Sequence, residues 1–239
     1  MLDVTLVVLC AGNSTRFDKS CKKQWLRVQN EPLWLNVTSR LNSFSNFFET
    51  IVVSHKDELN YMKNFNDDYI YVEGGNTRQE SIKNSLKFVK TKYVMISDVA
   101  RACIPQIVIN ELLANKGKAA CIVPILDVSD TVIFNKNTIN RDEVKLIQTP
   151  QLSNTQILNK SLFTNIEFTD ESSAIKNIGE EILYIKGDVA SKKLTYIEDI
   201  KQIPCLKGPS KDFFVGTGFD IHAFEDNKEM FLGGIKLPY

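Results

Sequence analysis

Apolar positions follow two periods along the first half of the chain. Val4 to Leu9 is a mostly apolar run, the pattern of a buried strand, and it breaks into the small polar loop Ala11-Gly12-Asn13-Ser14-Thr15. Pro32 suits a first helical turn, and Leu33, Val37, Leu41 and Phe44 then recur at helical spacing. Ile51-Val52-Val53 predicts a strand, and Leu59, Tyr61, Met62 and Phe65 can line a helix. Ile70-Tyr71-Val72 leads into the turn Gly74-Gly75, followed by a helix with Ile82, Leu86 and Val89 on its apolar face. Tyr93 to Ile96 is another strand, ending at Ser97-Asp98. Pro105 to Leu113 reads as a helix and Ala120 to Ile125 as a strand. Alternating strands and helices imply an α/β fold, a Rossmann-like, mostly parallel sheet with helices on both faces.

The rhythm changes after Pro124. Thr131 to Phe134 and Val144 to Ile147 predict two strands around a polar turn, Asn135 to Asn140. They form either a β-arm that leaves the sheet toward a partner subunit or a plain edge hairpin. Thr169-Asp170-Glu171 has a helix N-terminus, with a hydroxyl cap and carboxylates in the first turn, and Gly179 ends that helix. Ile182 to Ile185 is a strand. Lys207-Gly208-Pro209-Ser210 has linker composition, which divides the chain into residues 1–208 and 209–239.

Charge is balanced, 29 basic residues against 29 acidic, so nothing points to a nucleic-acid or anionic-membrane surface. No apolar run is long enough to span a membrane, and no basic region precedes the first apolar stretch. The five cysteines (Cys10, Cys21, Cys103, Cys121, Cys205) are scattered without a CxxC pair. That pattern predicts reduced thiols in a cytoplasmic protein rather than a disulfide frame or a zinc knuckle.

Ligands of an open α/β sheet bind at the carboxyl ends of its strands. There the first strand delivers the Gly12 loop, Arg16 and Lys23. Backbone N–H groups of such a loop can lie against a polyphosphate while the cations neutralise it. The spacing fits neither the Walker A pattern nor the dinucleotide fingerprint, and the second strand ends Ser54-His55-Lys56 without an acidic residue, which excludes a dinucleotide oxidoreductase. The other strand ends deliver Gly74-Gly75-Asn76-Thr77-Arg78 with Ser81, then Asp98 with Arg101, then Asp130-Thr131. Asp98 either positions a hard cation such as Mg²⁺ beside phosphates or caps the next helix.

The segments AGNSTRF, KKQW, GGNTRQES, SDVAR, SDTV, NR, QTPQ, TDESSA and KKLT, in this order over about residues 2–199, closely resemble the 2-C-methyl-D-erythritol 4-phosphate cytidylyltransferase family. The resemblance implies an enzyme that joins CTP to a sugar-alcohol phosphate and releases pyrophosphate, as a homodimer exchanging a β-arm. It assigns Arg16 and Lys23 to the transition state. Cys10, Ala11, Gly12, Asn13, Gly75, Asn76 and Ser81 would hold CTP. Asp98, Arg101, Thr131, Thr149 and Thr169 would hold methylerythritol phosphate, anchored by Lys193 and by Arg141 of the partner's arm. Mg²⁺ would sit at Asp98. The chain departs from the family at Ser14 (a glycine there), Lys22 (a proline), Val99 and Ala102 (alanine and proline), and Asn76 (an aspartate). Another cytidylyltransferase, acting on a polyol phosphate such as ribitol phosphate, is the alternative.

A second resemblance starts at Val215. VGTGFDIHAF, followed by GGIKLPY, is similar to the opening of the 2-C-methyl-D-erythritol 2,4-cyclodiphosphate synthase family. It implies that Asp220 and His222 face a divalent metal such as Zn²⁺. The third ligand of that family would lie beyond Tyr239, so two ligands alone make a poor zinc site. Residues 209–239 are expected to be a linker and the first segment of a fused synthase.

Overall fold

In the computed structural model, residues 2–17, 21–206, 213, 215–219, 221, 228–233 and 235–238 are described. Strand β1 (Val4–Leu9) lies at the centre of the sheet because both of its faces are apolar. Val4, Leu6 and Val8 pack with Leu33, Trp34 and Met95 on one face, while Val7 packs with Ile51, Ile82 and Ile96 on the other. Burying one such side chain is worth about 1.5–3 kcal/mol. The two apolar layers therefore fix which residues face the helices, and the carboxyl end of β1 is left to chemistry.

The main helices and the strands of the larger ladders of residues 1–209 follow in chain order: α1 (Leu33–Ser43), β2 (Thr50–Ser54), α2 (Lys56–Lys63), β3 (Ile70–Glu73), α3 (Arg78–Leu86), β4 (Tyr93–Asp98), α4 (Gln106–Ala114), β5 (Cys121–Asp127), β6 (Val132–Phe134), β7 (Asn137–Ile139), β8 (Lys145–Ile147), β9 (Gln151–Asn154), α5 (Thr155–Ser161), α6 (Glu171–Asn177) and β10 (Ile182–Lys186). β3, β2, β1 and β4 are parallel neighbours, and β10 runs parallel to β5. β9 is antiparallel between β4 and β5, and β8 continues along the same edge of β5 beyond β9. The sheet is mixed but mostly parallel, as the pattern predicted.

Three sequence expectations need correction. The hairpin after β5 pairs β6 with β7, not with residues 144–147. Asn135 and Lys136 both have positive φ (48° and 66°), a tight two-residue turn inside the stretch read as one long polar loop. Residues 145–147 return to the main sheet as β8. The cap of α6 is the Asp170 carboxylate, which accepts from the Ser173 N–H at 3.1 Å, not the Thr169 hydroxyl. Finally, Cys103 and Cys205 form a disulfide with Cα atoms 5.5 Å apart, leaving Cys10, Cys21 and Cys121 as thiols. The partners lie 102 residues apart, a separation that local spacing does not register.

Residues 210–239 form a second unit. Within it, Phe231–Leu232 pairs antiparallel with Ile235–Lys236, and Lys236 is ion-paired with Glu229. Asp220 and His222 lie outside the described residues, as do residues 207–210. Among the described residues no helix is long and apolar enough to cross a membrane.

Candidate active site

The carboxyl ends of β1, β2, β3 and β4 open onto a cleft of about 360 Å³. One wall is the loop after β1. Ser14 sits there in the left-handed region (φ 57°), a conformation that favours glycine. Its hydroxyl offsets that cost by accepting from the Lys23 N–H at 2.9 Å. Gln24, buried beneath, donates to the Gly12 carbonyl at 3.2 Å and to the Glu58 carboxylate of α2 at 3.0 Å. The Lys22 ammonium reaches the other Glu58 oxygen at 2.8 Å. Two departures from the resembled family, Ser14 and Lys22, thus both serve to fasten the loop that presents Lys23.

The opposite wall is the turn after β3. The Gly74 N–H donates to the Ser54 carbonyl at 2.8 Å, and a Cβ there would stand 2.5 Å from the Ala11 Cβ. A Cβ on Gly75 would stand 2.2 Å from the Glu80 Cβ. Gly74 needs glycine because the two walls approach each other there, and Gly75 because its turn packs directly on Glu80 of the helix that follows. The Ser81 hydroxyl accepts from the Gly75 N–H and donates to the Thr77 carbonyl, and the Asn76 N–H donates to Glu80. The hydroxyl of Ser81 and the backbone N–H of Asn76 therefore shape the turn, and Gly75, Asn76 and Ser81 all line the cleft.

Asp98 ends β4 at the cleft floor. One carboxylate oxygen accepts from Arg78 Nε at 3.0 Å and the other from Lys193 Nζ at 2.7 Å, while its N–H donates to the Thr149 hydroxyl at 3.2 Å. Burial alone would raise the Asp98 pKa, but Arg78 and Lys193 outweigh it and hold the carboxyl well below the usual range. The same segment engages the other wall, since Lys23 Nζ donates to the Leu194 carbonyl at 3.1 Å. Burial, then Lys193, then Arg16 lower the Lys23 pKa below the usual lysine value. Behind Asp98, Arg78 makes a fork-shaped pair with Glu171, whose side chain is fully buried (3.1 and 3.2 Å). Burial outweighs Arg78 at Glu171 and raises its pKa.

The sequence profile of the 2-C-methyl-D-erythritol 4-phosphate cytidylyltransferases, IspD, matches residues 4–204. The chain belongs to that family. It is 66% identical over its whole length to the "Bifunctional enzyme IspD/IspF" of Aliarcobacter butzleri, and 49% identical to the enzyme of that name from Nitratiruptor. It spans 64% of the length of each. The solved structure of the bifunctional IspDF from Campylobacter jejuni aligns with a TM-score of 0.85 at 44% identity, over 98% of this chain and 63% of that one. The cytidylyltransferase of Thermus thermophilus, at 22% identity, shares the fold (TM-score 0.72, over 84% of this chain and 96% of that one).

Within this family member, the cleft brings together Ala11, Gly12, Asn13, Arg16, Lys23, Gly75, Asn76, Ser81, Asp98 and Lys193 of the residues expected from sequence. Others lie elsewhere. Cys10 is buried beneath the loop, and burial pushes its thiol pKa far up. Arg101 bonds the Ser191 and Ile147 carbonyls and braces the loops that flank Asp98. Thr149 supports Asp98 from below. Thr169 is exposed, with its carbonyl 3.5 Å from Arg78 Nη1. Thr131 and Arg141 sit on the exposed arm, where Arg141 donates to the Ser129 carbonyl at 2.5 Å.

The donor set does not fit a Mg²⁺ held by the protein. Among the described residues Asp98 is the one carboxylate lining the cleft, and both of its oxygens already accept from cations. No group of three or more His, Cys, Asp or Glu forms a metal cluster among the described residues. Gln24, Glu58 and Glu171 are the residues that sequence reasoning missed, and Arg78 was seen at a strand end but given no role. Arg78 alone carried a local signal, a cation opening the helix after a glycine turn.

Proposed function

We propose that this chain transfers CMP from CTP to 2-C-methyl-D-erythritol 4-phosphate. A phosphate oxygen of the acceptor forms a bond to the α-phosphorus. The bond from that phosphorus to the bridging oxygen breaks, and the electron pair leaves with pyrophosphate. Phosphoryl-type transfer of this kind asks for positioning and charge stabilisation rather than covalent catalysis. The observation that carries the reading is the convergence of Arg16, Lys23 and Lys193 on one glycine-walled cleft in a member of this family. Arg16 and Lys23 take up negative charge on the triphosphate as it develops. The loop at Ala11 to Asn13 and the turn at Gly75-Asn76 seat the nucleotide. Lys193 anchors the acceptor phosphate, which the triphosphate would otherwise repel. A divalent cation belongs to this reaction as part of the nucleotide substrate, chelated by its phosphates.

The exposed arm suits exchange between two copies of the chain. In such a homodimer Arg141 of one copy serves the acceptor site of the other. The Ile133 and Phe134 side chains, exposed on the arm, support that reading because an apolar hairpin gains by covering. Residues 209–239 are read as the opening of a cyclodiphosphate synthase domain, with Asp220 and His222 toward its divalent metal. The "bifunctional" relatives, which extend beyond the matched region, support it.

The test is pyrophosphate release from CTP with a panel of acceptors: methylerythritol phosphate, ribitol phosphate, glycerol phosphate and water. Turnover confined to methylerythritol phosphate is expected. Faster turnover with another polyol phosphate would move the assignment within the cytidylyltransferases, and none with any acceptor would overturn it.

A further inference from the structure

Arg78 lines the cleft, yet almost none of its hydrogen-bonding capacity faces a ligand. A guanidinium has five N–H donors. Nε bonds Asp98, Nη1 bonds Glu171 and the Thr169 carbonyl, and Nη2 bonds the second oxygen of Glu171. At most one donor is left for a substrate. Its partner Glu171 is at the start of α6, in a segment that carries no residue of the cleft lining. A fully buried carboxylate is costly unless it is paired, and this one is spent on holding Arg78.

We propose that Arg78 is a positioning residue: its fork is anchored on Glu171, its Nε sets the Asp98 carboxylate, and Asp98 holds Lys193 at the cleft. The inference rests on the reading of Lys193 as the anchor of the acceptor phosphate. The order of contacts explains why the chain needs a relay. Lys193 is a flexible side chain, over a third exposed, and the 2.7 Å bond to Asp98 is its recorded tether. Asp98 can grip it in one direction only if its other oxygen is already committed, and Arg78 commits it. The relay also joins three separate chain segments: α3 beside the nucleotide turn, the end of β4, and the 193–195 segment that receives Lys23. A lysine at position 78 would keep the charge but could not reach Asp98 and Glu171 together, because it lacks the fork.

The experiment compares Arg78→Lys in two backgrounds, wild type and Lys193→Ala, under the pyrophosphate assay. In the wild-type background kcat/KM for methylerythritol phosphate should fall roughly ten- to a hundredfold, with KM for CTP changing less than about threefold. In the Lys193→Ala background the same substitution should cost less than about threefold, because residues acting in series are not additive. Equal losses in both backgrounds, or a KM for CTP that rises as much as that for the acceptor, would overturn the relay. If Arg78→Lys does not fold by circular dichroism, Glu171→Gln takes its place, with the same background dependence and a smaller loss. Calorimetric affinity for methylerythritol phosphate is read in parallel. A wild-type chain that binds it without turnover strikes the proposed function, while the relay is still scored by whether Arg78→Lys weakens that binding.

Discussion

Ser14 offers a test in which strain and hydrogen bonding pull in opposite directions. It holds a left-handed backbone (φ 57°), which costs an L-residue about 1–2 kcal/mol relative to the right-handed region. Its hydroxyl accepts from the Lys23 N–H at 2.9 Å, worth about 0.5–1.5 kcal/mol net. Ser14→Ala keeps the strain and loses the bond, so it should destabilise by about 1 kcal/mol. Ser14→Gly loses the same bond but relieves the strain, less about 0.5–1 kcal/mol for the extra freedom of the unfolded glycine chain. The glycine variant should therefore lie near wild type. For a domain of about 200 residues, 1 kcal/mol moves Tm by roughly 2–4 °C. Calorimetry should thus place Ser14→Ala about 2–4 °C below wild type and Ser14→Gly between the two or level with wild type.

Activity treats the same pair alike. Both variants lack the hydroxyl that ties Lys23 to the loop, so both should lose turnover to a similar degree. A 1 kcal/mol contact expressed fully at the transition state corresponds to about fivefold in kcat. The reasoning fails if glycine is less stable than alanine at this position, since the strain would then be absent. It fails equally if alanine retains full turnover, since the bond would then have no part in placing Lys23.

Two further outcomes follow from the cleft and the arm. Because Lys23 is held below the usual lysine pKa by burial, Lys193 and Arg16, its charge is lost at a lower pH than a free lysine would lose it; the alkaline limb of kcat/KM should fall below the ordinary value of about 10.4, and a limb at or above it would refute the assignment of that limb to Lys23. Co-expressing Lys23→Ala with Arg141→Ala chains should restore activity to about a quarter of wild type, since about half of randomly paired dimers are mixed and each carries one intact site; demonstrated heterodimers without recovery would place Arg141 in its own chain's site.

The parts of the site legible in sequence are those made by neighbours in the chain. An apolar strand that empties into Ala11-Gly12-Asn13, a glycine turn after β3 and an aspartate at the end of β4 are each a few residues long. The topology of a parallel sheet brings such strand ends together. What stayed hidden joins residues far apart: Gln24 to Glu58, Arg78 to Glu171, Cys103 to Cys205. Each is a single polar or sulfur residue whose partner is set by packing, so no period or spacing reports it. Strand β9 and helix α5 were also missed. Gln151–Asn154 has two buried polar side chains, Gln151 and Ser153, where a strand pattern expects apolar ones, and Gln151 accepts from the Ser172 N–H. The β6–β7 hairpin was misplaced because Asn135-Lys136 forms its turn without glycine.

Balanced overall charge concealed the electrostatics of the cleft. Among its described lining residues Arg16, Lys23, Arg78 and Lys193 stand against the carboxylate of Asp98. That excess is not uniform, because Glu171 neutralises Arg78 from behind and Asp98 lies between Arg78 and Lys193. Among the described residues, the cleft's remaining positive charge is therefore carried by Arg16 and Lys23, at the loop after β1, where the proposed reaction would place the triphosphate. Lys193 is tempered by Asp98, which under the proposed reaction suits the less charged acceptor phosphate. A cleft walled by low-dielectric protein focuses such a field, so two well-placed cations can act strongly on a chain whose formal charge is zero. Burial first, and then the neighbouring cations Lys193 and Arg16, hold the Lys23 pKa down, so part of the depression is the cost of that concentration. An incoming polyanion would reverse the sign of that interaction, so nucleotide binding should return Lys23 toward its ordinary pKa and keep it charged when the reaction needs it.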